Sequence, residues 1–453
     1  MTDHELAVLA DADVRALAYV AGIEGRRVFP DKAALDGVAV FEAKLPEQPT
    51  SATSTLALLD EFGSPATVAS NGPSYFGFVV GAAHPAGAAA ERLMLAWDQG
   101  AALAVTSPVS AAVEAAAARW LLDALDLPPE SAVGFGTSAT SCSLTCLAAA
   151  RRALLRNAEW DLDARGLAGA PRVRVVISQT THVAIHKSLR ILGFGREDIT
   201  VVGTDDVGRM DAEQLPAVDS LTIVCLQAGE VNTGEFDDFR TIIPRAKAAG
   251  AWVHVDGAFG LWARATDDAR YLTEGVDLAD SWVTDGHKWL NTPYDCAMAI
   301  CRRREDIVAA MTSDAVYAPG SDHSQKNLTL DFSRRPRGIA VWAVLRTLGR
   351  AGLRNMFTRN IGQASHAAER LRAAGFIVLN RVVLNQVLVR CLTDAQTTSV
   401  VAAAQASGLV WFGSTVWQGR PAFRLSFSSW RTTRAHVDTL CDLLIELHRP
   451  LEA

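Results

Sequence analysis

The chain has 453 residues, 49% of them hydrophobic, and a formal net charge of −7. That length exceeds what one hydrophobic core ordinarily spans, so two or three subdomains are expected. The modest acidic balance argues against a nucleic-acid partner, and no apolar run approaches the roughly 20 residues that cross a bilayer.

The opening Met1-Thr2-Asp3-His4-Glu5 is acidic and lacks the basic-then-apolar order of a signal peptide, which points to a cytoplasmic protein. Residues 4–20 place Leu6, Leu9, Val14, Leu17 and Val20 at helical spacing, the mark of an amphipathic helix. Pro30, Pro46 and Pro49 interrupt regular structure, and 50–62 resumes a helical pattern through Leu56, Leu58 and Leu59. A segment this apolar, ahead of a main domain, has to cover something. Asn71-Gly72-Pro73-Ser74-Tyr75-Phe76-Gly77-Phe78 is rich in glycine and aromatics; it reads as an apolar hinge or as the mouth of a pocket.

Residues 108–125 are alanine-rich and read as a helix. Val133-Gly134-Phe135-Gly136-Thr137-Ser138-Ala139-Thr140-Ser141 then opens a second long helical run. Small and hydroxylated residues at a helix N-terminus let backbone N–H groups and the helix dipole meet a phosphate, although an ordinary N-cap uses the same residues. Cys142 and Cys146 share a face of that helix. The seven cysteines are odd in number and mostly sit in apolar segments, which suits reduced, buried thiols rather than a metal site or disulfides.

From residue 173 strands and helices alternate. Strands are expected over 173–178, 199–202, 221–226, 251–256, 278–283 and 296–301, and helices after His182 and over 239–249. This alternation indicates a mostly parallel α/β sheet, whose ligand sites lie beyond the carboxyl ends of the strands. His182, Asp256 and Lys288 each fall at or just after such an end. A lysine partly withdrawn from water gains nucleophilicity as an amine and suits Schiff-base chemistry with an aldehyde cofactor. Singly, each has a plainer reading: Lys288 on a surface turn, Asp256 capping a turn, His182 capping its helix, His254 in a strand core. Beyond a polar loop at 313–335, helices are expected over 339–348, 364–374, 399–406 and 435–447, and strands over 383–389 and 422–427. They suggest a separate small α+β domain.

Val253-His254-Val255-Asp256-Gly257-Ala258-Phe259-Gly260 and Val283-Thr284-Asp285-Gly286-His287-Lys288-Trp289-Leu290-Asn291 together resemble pyridoxal-phosphate (PLP) enzymes of the aspartate-aminotransferase fold. Within these the chain is similar to the group II amino-acid decarboxylases, relatives of the aromatic amino-acid and glutamate decarboxylases. The similarity continues through Thr292-Pro293-Tyr294-Asp295-Cys296, Ser333-Arg334-Arg335 and Gly419-Arg420-Pro421-Ala422-Phe423-Arg424-Leu425-Ser426, covering most of the chain from near Pro46 onward. It implies fold type I, divided into an N-terminal dimer-packing segment (1–75), a PLP-binding large domain (76–335) and a small C-terminal domain (336–453). It implies Lys288 as the Schiff-base lysine, Asp256 as partner of the pyridine nitrogen, and His182 stacked on one ring face with Ala258 against the other. Ser138, Ala139, Thr140 and His287 are the implied phosphate cup. Tyr75, Phe76 and Arg424 are implied substrate contacts, and Ser321 reaches the cofactor of a homodimer partner whose active site lies at the interface. The implied reaction is decarboxylation of an amino acid; oxidative deamination coupled to decarboxylation, carbon–carbon lysis, transamination and a non-catalytic role are the alternatives.

Two departures stand out. Decarboxylases of that family often carry a mobile-loop tyrosine that returns a proton after CO2 leaves, whereas 318–332 contains none. His323, the one side chain there that titrates near neutral pH, reads as a solvated residue or as a substitute acid. Where the family has a threonine pair, this chain has Glu230-Val231, followed by Asn232.

Overall fold

The computed structural model describes residues 2–313 and 324–449, with the backbone alone for Thr2 and Asp3. The chain forms two compact units. One comprises Ala83–Ser365 and Asn380–Val387, the other Met1–Ala82, His366–Leu379 and Leu388–Ala453.

The first unit is built on a seven-stranded sheet: β1 (Ala132–Gly136), β2 (Arg174–Ser178), β3 (Ile199–Val202), β4 (Thr222–Gln227), β5 (Trp252–Asp256), β6 (Ser281–Asp285) and β7 (Ala297–Cys301), in the order β1-β7-β6-β5-β4-β2-β3. Strands β3, β2, β4, β5 and β6 run parallel; β7 lies antiparallel to both β6 and β1. A parallel sheet is covered on both faces, so its strands read as continuous apolar runs, and β4, β5 and β6 are buried at every position. The mostly parallel sheet expected from the alternation is present. Its register sets the strand ends level: Gln227 lies opposite Asp256, and Asp256 opposite Val283, so Asp285 stands two residues further along β6.

The helix Ala139–Asn157 covers one face. Cys142, Cys146, Ala150 and Leu154 recur every fourth residue and share a core with Val175, Ile177, Ile223, Cys225 and Val283. Each fully buried leucine in such a core contributes about 1.5–3 kcal/mol.

The second unit holds a four-stranded sheet of β8 (Ile377–Val378), β9 (Gln386–Arg390), β10 (Gly413–Trp417) and β11 (Arg420–Ser426), in the order β10-β11-β9-β8. The chain's early residues are stitched to its last third: Val28 N–H donates to Gly408 O (2.7 Å), Phe76 N–H to Trp411 O (2.7 Å), and Thr432 Oγ1 to Pro73 O (2.7 Å).

Some boundaries differ from the sequence pattern. The lysine-bearing strand runs Ser281–Asp285 rather than over 278–283, because a 3-10 turn occupies Val276–Leu278. The helices expected over 339–348 and 364–374 belong to one helical run, Gly338–Ala373, broken at Gly349 (φ 57°, ψ −175°), a conformation that a residue without Cβ adopts at little cost. Among the described residues no helix is long and apolar enough to cross a membrane.

Candidate active site

β6 ends at Asp285, and the turn after it carries Gly286, His287 and Lys288. The turn is pinned on two sides: Asp285 N–H donates to Ala258 O (2.8 Å) and Gly286 N–H to Cys296 O (2.9 Å). The Lys288 side chain is 20% exposed, and its Nζ lies 3.2 Å from Asp285 Oδ2. The same oxygen is 3.7 Å from His287 Nε2. Asp285 Oδ1 accepts a 2.7 Å hydrogen bond from Ala139 N–H. One carboxylate, 4% exposed, therefore joins the lysine, the histidine and the first amide of the helix Ala139–Asn157.

His287 Nδ1 accepts from Cys296 N–H (3.3 Å), which leaves the proton of a neutral ring on Nε2, the nitrogen nearer Asp285. Burial pulls the His287 pKa down, with the Asp285 charge opposing it. The Tyr294 ring stacks on the imidazole, 4.3 Å between centroids.

At the helix start Ser138 and Ser141 form a reciprocal capping box, each side chain accepting the other's backbone N–H. Thr140 O accepts from Ser188 Oγ (3.0 Å), which ties this helix to Val183–Ile191. His182 opens the latter helix, and its Nδ1 accepts from Ala184 N–H (3.3 Å), so the residue does cap its helix. Beside it, the buried Thr181 Oγ1 has no hydrogen-bond partner among the described residues.

Asp256 ends β5, 7% exposed. Its Oδ1 accepts from Ala258 N–H (3.1 Å), and Ala258 is the residue whose carbonyl holds Asp285. One strand further, Gln227 N–H donates to Asp237 Oδ2 (2.7 Å) and Gln227 Nε2 to Thr180 Oγ1 (3.1 Å). Burial raises the Asp237 carboxyl to about 6 against the pull of the Met210 and Gln227 amides.

The segment after β4 also takes a defined form. The buried Glu230 carboxylate accepts from the N–H groups of Asn232 and Thr233 (2.7 Å each), from Asn232 Nδ2 (2.8 Å) and from Thr233 Oγ1 (3.1 Å). Glu230 thus builds the turn itself. Burial pushes its pKa up while these donors pull it down.

Ser138, Ala139, Thr140, His182, Asp256, Ala258, His287 and Lys288 thus belong to one unit and are linked through Asp285 and Ser188. Tyr75, Phe76 and Arg424 belong to the other, where Tyr75 stacks on Trp411 (5.1 Å) and Phe76 is buried against Phe427 (5.4 Å). The Arg424 guanidinium lies 6.0 Å from the Phe78 ring centroid. Ser321 and His323 fall in 314–323, outside the described residues. The sequence reading does not assign Asp285, Ser141 or Ser188. For Asp285 the signal was available, since it is an acidic residue at a strand end, as Asp256 is.

Residues 38–391 match the family model of the pyridoxal-dependent decarboxylase conserved domain. The chain belongs to the pyridoxal-dependent decarboxylase family. Its cofactor is pyridoxal 5′-phosphate, and it is a carboxy-lyase acting on an amino acid. It is 24% identical over 438 residues to tryptophan decarboxylase 2 of rice (Oryza sativa subsp. japonica), spanning 89% of this chain and 86% of that one. It is 29% identical over 384 residues to the L-2,4-diaminobutyrate decarboxylase of Rhizobium meliloti (strain 1021), spanning 79% and 72%. The fold superimposes on the crystal structure of Oryza sativa TDC with PLP and tryptamine at a TM-score of 0.90, with 22% identity over 99% of this chain and 98% of that one. The apo form of mouse CSAD matches equally well, at 0.90 with 18% identity over the full length of both chains.

The residues of the decarboxylase suit this cofactor. An amine 20% exposed is set among buried neighbours. A nearly buried carboxylate ends the adjoining strand. A 19-residue helix presents its first turn, with Ser138 at its N-cap and the Ala139 amide behind it.

Proposed function

We propose that the decarboxylase engages its cofactor through Lys288 and holds it with the residues gathered around Asp285. The observation that carries this reading is the double contact of Asp285: 3.2 Å to Lys288 Nζ and 2.7 Å to Ala139 N–H bring the amine and the helix N-terminus to one point. Bound there, pyridoxal phosphate supplies an aldehyde for the amine and a ring that accepts the electron pair left when a carboxylate departs. Ser138, Ala139, Thr140 and His287 would hold the phosphate. Asp256 would keep a proton on the pyridine nitrogen, because a buried carboxylate favours a positive charge beside it. Ala258 and His182 would flank the ring. Lys288 Nζ and the His182 imidazole are the proposed proton carriers to the substrate's α-carbon.

An aromatic amino acid is the substrate class we favour. The rice relative is a tryptophan decarboxylase, and Tyr75, Phe78 and Trp411 form an aromatic group in this chain. The enzyme is proposed to work as a cytoplasmic homodimer, with the N-terminal segment packed on its partner. Leu6, Leu9, Val14 and Leu17 are each more than half exposed along the helix Thr2–Ala21, an apolar stripe that a second copy would cover.

Borohydride treatment of the holoenzyme should leave a pyridoxyl group on Lys288 and none in Lys288→Ala; a fixed group on another lysine overturns the assignment. Incubation with aromatic amino acids and 2,4-diaminobutyrate, following CO2, amine, ammonia and peroxide together, tests both the substrate class and the reaction. Release of CO2 with equimolar amine from an aromatic substrate supports the reading, and ammonia with peroxide in its place redirects it to oxidative deamination. An active monomer in sedimentation rules out the shared site.

A further inference from the structure

Asp285 touches both halves of the proposed cofactor site, yet the roles above leave it without one. It is bonded to the Ala139 amide, the donor that a phosphate at this helix N-terminus would use. It is also 3.2 Å from the amine that has to be free to react. At 4% exposure its charge is little screened by solvent.

The other titratable groups around the pair do not duplicate it. Asp295, beyond the turn, pairs with Arg337 (2.9 Å) and Arg335 (3.7 Å). Asp256, on the adjoining strand, is bonded to Ala258 N–H. Burial favours the neutral ring of His287, and it pushes the Cys142 thiol on the facing helix well up, with Asp285 adding to that rise. Tyr294 stacks on His287, and burial raises its phenol above the ordinary value.

We infer that Asp285 is a positioning residue that sets how tightly the cofactor phosphate is held and how available the Lys288 amine is. The inference rests on the assignment of Lys288 and the helix N-terminus given above. A carboxylate at the phosphate-binding amide repels the dianion and shares its donor, so it weakens retention of the cofactor. The same charge draws the Lys288 ammonium to within 3.2 Å, which keeps the side chain at the mouth of the helix and restrains it from meeting a reagent.

Asp285→Asn keeps the shape and an acceptor oxygen for Ala139 N–H while removing the charge. Release of PLP from the holoenzyme into an excess of a PLP-binding trap, read as decay of the visible band, should slow by about tenfold, the scale of one partly buried charge. In the cofactor-free chain at fixed pH, trinitrophenylation of Lys288, read by peptide mass, should quicken by about as much. Asp285→Glu, which restores the charge, should return both rates toward those of the parent. If Asp285→Asn does not fold, Asp285→Ser carries the same expectation. Unchanged or faster release together with unchanged labelling, in a variant whose Tm matches the parent, overturns the inference. A borohydride-fixed group on a lysine other than Lys288 in the parent protein defeats the underlying assignment instead, so the two failures are told apart.

Discussion

At the scale of single residues, the proposed site gathers acids at strand ends. Asp256 and Lys288 are legible in the sequence because parallel strands deliver their last residues to one edge of the sheet, and an acidic residue that interrupts an apolar run there has no packing reason to exist. Asp285 meets the same criterion. It is harder to read because its worth lies in two contacts, one to an amide 146 positions away, which spacing does not reveal. His182 shows the opposite limit: its capping bond is local and follows directly from its place before a helix. Replacing Asp256 by Asn removes the charge from a nearly buried position. With PLP still bound and its visible band present, kcat should fall by a hundredfold or more, roughly the loss seen when one preorganised electrostatic group is taken from an active site. Turnover within threefold of the parent would remove Asp256 from the role proposed for it.

At the scale of elements, the central parallel strands β4, β5 and β6 are legible because both faces are buried and their sequences are mostly apolar. Strands β1, β8 and β10 carry no strand pattern in the sequence. β1 is Ala-Val-Gly-Phe-Gly, a glycine-rich sequence that reads as the opening of the helical run after it. A Cβ on Gly134 would lie 1.9 Å from Leu328 O, so packing demands the glycine that weakens the strand signal. β8 is two residues long and offers no period to read. The helix after β1 depends on its cap: Ser141→Ala deletes one half of the capping box. Thermal unfolding of the cofactor-free protein should register a loss of about 1 kcal/mol. Leu154→Ala, in the core beneath the same helix, should cost about 2–5 kcal/mol by the same measurement. If the capping variant proves the more damaging of the two, the box does more than satisfy its helix.

At the scale of the molecule, two buried groups make stability depend on pH in opposite senses. His254 lies wholly inside β5, with Nδ1 2.9 Å from Ser281 Oγ, and burial lowers its pKa to about 4 from 6.5. Between those values the unfolded chain binds the proton and the folded chain does not, so stability falls as pH drops, by about 1.4 kcal/mol per unit for one proton. Asp237 has its folded pKa raised to about 6 from 3.8. Here the folded chain binds the proton in that window, so its contribution is present at low pH and is lost as pH rises through 6. Denaturation between pH 6.5 and 4.5 should therefore give a shallower acid loss in His254→Gln than in the parent, and a steeper one in Asp237→Asn. Parallel profiles for all three proteins would contradict both assignments.

The position of β1 has a consequence for how the chain is made. It is an edge strand whose sheet partner is β7, and Gly136 precedes Cys301 by 165 positions (301 − 136). A ribosome adding about 5–20 residues per second needs roughly 10–30 s to cover that interval. Throughout it, the backbone amides and carbonyls of β1 have no strand to bond, and the apolar face of the helix Ala139–Asn157 waits for the part of its core that Ala297, Ala299 and Cys301 supply. Ribosome-bound chains halted before β7 should be cut by protease near β1. Chains extended far enough for β7 to clear the exit tunnel should be protected there, and the shortest of them marks the moment at which the active-site edge of the sheet closes.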